Sequence, residues 1–127
     1  MMAEKTEKTG KAVFESIFGD KAAQTEAMLY ALSPELARLG IDFPFGEFYA
    51  HSDLLDLKSR ELITLSTLIT QGTWPQLKIH LYAALNVGCT FVEIEQAILQ
   101  LIVYVGMPKV INAMTVLKEV RDEMNEG

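Results

Sequence analysis

Glycines at 72, 88 and 106 cut the stretch from Asp56 to Gly106 into segments of helical length. Each segment opens on a residue able to cap a helix: Asp56, Thr73 and Thr90. A side-chain oxygen at that first position accepts from the unpaired N–H groups of the first turn. A glycine just past the last turn takes the left-handed conformation that ends a helix. With so little chain between them, neighbouring segments can fold back as antiparallel helices.

The third segment carries the strongest signal. TFVE (90–93) has the threonine and glutamate spacing of a capping box, and an apolar helix running to Val105 follows it. Gly106 stops that helix, and Pro108 suits the first turn of a last one reaching about Met124. Upstream, Val13, Phe14, Ile17 and Phe18 recur on one helical face between Ala12 and Phe18, and Gly19-Asp20 punctuates. A second apolar set, Met28, Leu29 and Leu32, leads to Ser33-Pro34, which reads as an N-cap followed by the first helical residue. Behind it GIDFPFG (40–46) predicts a kink at Pro44. No stretch shows β-branched alternation between hairpin turns. The expectation is an all-α, single-domain bundle of five to seven helices with a central helical hairpin, residues 1 to about 10 forming a frayed end.

Composition narrows the function classes. At 127 residues the chain can bury one core. A net charge of -6 with scattered Lys and Arg argues against nucleic-acid binding, which needs clustered cations. The N-terminal MMAEKTEKTGKAVF lacks the apolar core of a secretory signal, and AILQLIVYVGM (97–107) is too short to span a bilayer. The expected location is cytoplasmic, with no membrane partner. Cys89 is the single cysteine, which excludes an intrachain disulfide, a CxxC redox pair and a thiolate metal cluster. Two histidines far apart make no metal-ligand spacing, and phosphate-binding glycine loops are absent.

Two ionisable residues stand where apolar ones are expected. Glu61 shares a helix face with Leu57, Leu65 and Leu68, and His80 shares one with Leu77, Leu81 and Ala84. If their helices fold back on each other at Gly72, the two side chains can meet. A carboxylate bonded to an imidazole in a poorly polar pocket is a competent proton-transfer pair near neutral pH. The competing readings are a buried structural pair, or a Glu61 turned outward to Arg60 or Lys58. Gln96, Gln100 and Tyr104, spaced by four, form a second polar line that either lines a pocket or joins helices. Because the 91–105 helix is apolar almost all round, part of its covering is expected from another subunit.

From Ser59 to Ala113 the residues resemble the carboxymuconolactone decarboxylase family, which includes alkylhydroperoxidase D-like proteins. The resemblance rests on Arg60-Glu61, on His80, Ala83, Ala84, Asn86 and Gly88, on Glu93-Ile94, and on Tyr104, Gly106 and Pro108. Gly19-Asp20 and Phe45-Gly46-Glu47 look like the N-terminal part of decarboxylase-type members. The resemblance implies an alkylhydroperoxidase D-like fold assembled as trimers or hexamers. In the peroxidase branch a cysteine pair would fall at Thr73 and Gln76, so dithiol peroxide reduction cannot operate here, and these two residues are expected to form a capping box instead. The decarboxylase branch implies loss of CO2 from 4-carboxymuconolactone without a cofactor. It places His80 and Glu61 as the acid–base pair, with Arg60, Lys78, Gln100 and Tyr104, and also Lys109, as candidates for binding the substrate. The alternative is a family member of different role, a small-molecule-binding or structural homo-oligomer.

Overall fold

A computed structural model describes residues 9–126; the frayed end expected at the N-terminus lies, for residues 1–8, outside the described residues. All regular structure among them is helical. The chain divides at Leu57/Lys58 into two compact units.

The first unit contains α1 (Gly10–Phe18), a 3-10 turn (Gly19–Lys21), α2 (Ala22–Leu32) and α3 (Pro34–Pro44), which passes into a π turn (Phe45–Tyr49). Helix α1 starts two residues before Ala12 because Thr9 Oγ1 accepts from the Ala12 N–H at 3.1 Å. Ser33 caps α3 as its sequence requires, its hydroxyl accepting from Leu36 N–H with Pro34 in the first turn. The expected break at Pro44 takes the form of the π turn: Pro44 has no N–H to give, and the Phe45 N–H reaches both Ile41 and Asp42 carbonyls. Phe14, Phe18 and Phe45 pack at 4.6–5.5 Å between ring centroids, Phe45 edge-on to the other two, in the core of this unit. Gly10 is buried against α3, where a Cβ would stand 2.5 Å from Asp42 Cα.

The second unit holds α4 (Leu57–Gln71), α5 (Trp74–Asn86), α6 (Phe91–Gln100), the single turn α7 (Ile102–Val105) and α8 (Met107–Glu126). Both helices of the central hairpin end in the same way. Gly72 N–H bonds to Ile69 O and Thr73 N–H to Leu68 O; Gly88 N–H bonds to Leu85 O and Cys89 N–H to Ala84 O. Each is a Schellman motif with its glycine at positive φ, 73° and 111°. Leu65, Ile69, Leu77, Leu81, Ile94 and Ile98 meet Val110, Leu117 and Val120 of α8 in the unit's core, and Cys89 is buried with them.

Two local expectations are corrected. The apolar helix does not run unbroken to Val105 but tightens at Leu101, whose N–H bonds to Ile98 O in a 3-10 step before α7 begins. The β-branched Ile102, Val103 and Val105 crowd the preceding turn and favour such a step. Thr73 and Gln76 do not form a capping box: Thr73 sits at the N-cap without a side-chain cap bond, and its hydroxyl donates to Leu68 O at 3.2 Å. In a two-residue connection the last carbonyls of α4 are closer competitors for that hydroxyl than the N–H groups of α5. Pro75 has already removed one of those N–H groups. At Thr90 the box is complete, with Glu93 N–H donating to Thr90 Oγ1 and Thr90 N–H to Glu93 Oε1.

Candidate active site

Glu61 sits in the second turn of α4 and His80 in the second turn of α5, on the two arms of the hairpin. The Gly72–Thr73 turn folds these arms back on each other and sets the register that brings the side chains together. His80 Nδ1 lies 2.9 Å from Glu61 Oε1. An ionised carboxylate only accepts, so in that state the ring donates from Nδ1. Of the readings left open by the sequence, Glu61 turned outward is excluded: its side chain is 0 % exposed, and that of His80 is 20 % exposed. The pair therefore has one end sealed in the hairpin and one end accessible. Glu61 Oε2 is buried without a hydrogen-bond partner among the described residues. The contact of Glu61 with His80 is therefore made through Oε1 alone.

The other candidates fall in different places. Arg60 is half-buried on α4, and its carbonyl accepts from Thr64 Oγ1. Lys78 projects towards α8, where its ammonium lies 2.6 Å from Glu123 Oε2 and 3.6 Å from Glu119. The hydrogen bond to Glu123 raises its pKa above the ordinary lysine value, against the opposing effect of burial. Lys109 Nζ donates to Thr70 O at 2.6 Å, tying α8 to the end of α4. Gln100 lines an open groove of about 720 Å³ with Gln96, Ala97, Leu99, Leu62, Ile63 and Ser66. Tyr104 lies beyond the Leu101 break and is 79 % exposed. The line Gln96–Gln100–Tyr104 is thus divided, its two amides in the groove and its phenol on α7. Neither Glu61 nor His80 is part of the groove lining.

Sequence reasoning missed the arrangement opposite the pair. Tyr82, one turn after Lys78 on α5, donates to Glu123 Oε1, so a single carboxylate on α8 receives both residues. Burial first, and this bond second, push the Tyr82 pKa up to about 12. The signals were two i, i+4 pairs, Lys78/Tyr82 and Glu119/Glu123, each an ordinary solvated stripe until α5 and α8 are known to pack together. Glu93 shows the opposite shift. Its carboxylate accepts from the Thr90 backbone and pairs with Lys58 at 3.2 Å, and these hold its pKa below the usual glutamate value, the backbone bond being the larger cause.

Residues 34–119 match the carboxymuconolactone decarboxylase family. Over 74 residues the chain is 42% identical to the nitrosuccinic acid decarboxylase of Metarhizium robertsii, covering 58% of this chain and 52% of that protein. It is 33% identical over 78 residues to the 4-carboxymuconolactone decarboxylase of Acinetobacter baylyi, covering 61% and 58%. A third relative, peroxisomal protein 2 of Schizosaccharomyces pombe, is 28% identical over 92 residues, 72% of this chain and 43% of that protein. The chain covers less than two thirds of the length of each of these three relatives. The match takes in α3, the hairpin with Glu61 and His80, and most of α8: this chain belongs to the carboxymuconolactone decarboxylase family.

Proposed function

We propose that the protein is a cofactor-independent decarboxylase in which His80, held by Glu61, stabilises and then protonates the anion left by departing CO2. The observation that carries this reading is the 2.9 Å bond between a fully buried carboxylate and a partly accessible imidazole. The names of two relatives support a common chemistry. In nitrosuccinic acid a carboxyl group shares its carbon with a nitro group, and in 4-carboxymuconolactone the carboxyl is on a saturated ring carbon joined through the ring double bond to the lactone carbonyl. In both, the electron pair of the breaking C–C bond flows onto oxygen, giving a nitronate or a dienolate. CO2 leaves, Nε2–H of the protonated ring bonds to the developing oxyanion, and its proton then passes to carbon. Solvent reprotonates the ring, so atoms and charge balance without a redox partner. Hydrogen bonding at the point where charge develops is the largest lever such a site has, and the proton transfer contributes roughly 10²–10⁴ in rate. Glu61 keeps the ring in one tautomer and stabilises the imidazolium.

The substrate class that follows is a small carboxylic acid with an oxygen-centred electron sink joined, directly or through a double bond, to the carbon that loses CO2. Arg60 is the cation next to Glu61 in the chain and is assigned to a remaining substrate carboxylate. Incubating the full chain with nitrosuccinic acid and, separately, with 4-carboxymuconolactone, and measuring CO2, tests the reading. Release from at least one is expected, and His80→Ala should remove it while circular dichroism stays helical. A wild-type chain that decarboxylates neither compound overturns the decarboxylase assignment. The separation of the groove from the pair favours a second reading, in which the groove binds a small molecule and the pair is structural; His80→Ala would then leave binding intact.

A further inference from the structure

We propose that Glu123 is a positioning residue for His80, fixing the roll of α5 about its own axis by receiving Lys78 on one carboxylate oxygen and Tyr82 on the other. The inference rests on His80 being the acid of the reaction. Lys78 and Tyr82 lie one turn apart on a single stripe of α5, and His80, two residues from each, lies about 200° around the helix from either. The helix is therefore gripped on opposite faces. Glu61 of α4 holds His80 at 2.9 Å on one side, and Glu123 of α8 holds Lys78 at 2.6 Å together with Tyr82 on the other.

Between the two grips the contact is apolar. Leu77 and Leu81 of α5 and Val116, Leu117 and Val120 of α8 are buried in the same core. The hydrophobic driving force for that burial is non-directional, so the polar contacts on either face add the directional constraint on the helix. Hydrogen bonds lose strength steeply with angle. Glu119 adds a second, longer contact to Lys78 at 3.6 Å, so the clamp spans a full turn of α8. The high pKa of Tyr82 keeps its hydroxyl a donor throughout the neutral range. A roll of α5 by a few degrees moves the tip of the His80 ring relative to Glu61, and errors of about 1 Å at a reacting group cost on the order of 10²-fold.

The test uses the full chain with 15N-labelled histidine, reading the ring nitrogens of His80 by NMR and assigning them with His80→Ala. In wild type one well-defined Nδ1–H signal, hydrogen-bonded to Glu61, is expected. In Glu123→Ala that signal should shift or broaden, and kcat should fall about tenfold with KM changed less than about twofold, the pattern of a misplaced group. In the His80→Ala background the same substitution should cost nothing further, because the two residues act as a unit. Tyr82→Phe, which keeps the Lys78–Glu123 pair, should change both readouts in the same direction by less, and it carries the test if Glu123→Ala does not fold. An unchanged His80 spectrum in either folded variant overturns the proposal, as does an equal rate loss with and without His80. Should the wild type decarboxylate nothing, the ring spectra still decide whether Glu123 positions His80, while the decarboxylase reading falls separately.

Discussion

Glu61→Gln separates the two things its side chain does. The amide keeps the volume and can still accept from His80 Nδ1, but it brings no charge to the imidazolium and adds an N–H group to a site where Oε2 has no partner. On the proposed reaction, decarboxylation is expected to slow about 10²-fold or more, in CO2 assays with protein whose helicity is unchanged. A rate within a factor of three of wild type would make Glu61 a structural residue. This pair was legible in the sequence because an ionisable side chain interrupts an apolar i, i+4 series, and burial of that series forces it to find a partner. The partners of Lys78 were not legible, since Glu119 and Glu123 lie more than forty residues away on an ordinary charged stripe. Steric limits are as local as charges. Gly10→Ala places a methyl 2.5–2.9 Å from three backbone atoms of Asp42, none of which can swing aside. A loss of about 2 kcal/mol or more is expected in denaturant unfolding, at the upper end for overpacking.

At the scale of elements, the caps at Ser33 and Thr90 follow their sequences, whereas the Thr73 hydroxyl and the step at Leu101 depart from the expectation. Ser33 and Thr90 cap as their sequences require, because the N–H groups they satisfy lie within the next turn. Thr73 has the same chemistry but lies two residues past α4, where the carbonyl of Leu68 takes its hydroxyl. Thr90→Ala should therefore cost about 1 kcal/mol, whereas Thr73→Ala should lose no cap. Glu93 gives the Thr90 box a pH dependence. A carboxylate whose pKa is lower in the folded state contributes stability above its unfolded value, and loses that contribution as pH falls through the folded one. Glu93→Gln keeps the cap bond and loses the charge opposite Lys58. The gap in melting temperature between wild type and Glu93→Gln should be open at pH 7 and narrow as pH falls below the ordinary glutamate value, closing through the lower folded one. Tyr82 works in the other direction. Its pKa is raised to about 12, so its contribution is complete below about pH 10, the ordinary tyrosine value, and is lost as pH rises through 12. Glu123→Gln should lower the pH at which Tyr82 ionises, read from tyrosinate absorbance against a Tyr82→Phe control.

At the scale of the whole molecule, the chain divides into two units, yet the family match begins within the first, at residue 34, and extends to 119 in the second. What the family shares is thus wider than the hairpin that carries Glu61 and His80. The second unit also leaves apolar side chains uncovered. Val103 and Tyr104 are each 79 % exposed, and Val92, Ile63 and Leu99 are exposed as well, the last two lining the groove with Gln96 and Gln100. Exposed apolar surface that is contiguous over more than a few hundred Å² marks an interaction site. The 91–105 stretch was apolar on more faces than its own chain covers, which a sequence can reveal; the identity of the covering cannot be read from periodicity. We propose that a second copy of this chain covers α6 and α7, burying the rim of the groove. Sedimentation velocity should then give a species heavier than the 14.2 kDa chain. Val103→Glu with Tyr104→Glu should shift it to monomer, because two carboxylates buried without partners cost more than such an interface supplies. The change lies outside the core, so helicity should persist in the monomer. A wild-type chain that sediments as a monomer at high concentration would overturn the proposal. A double variant that keeps the wild-type mass would place the interface elsewhere on the surface.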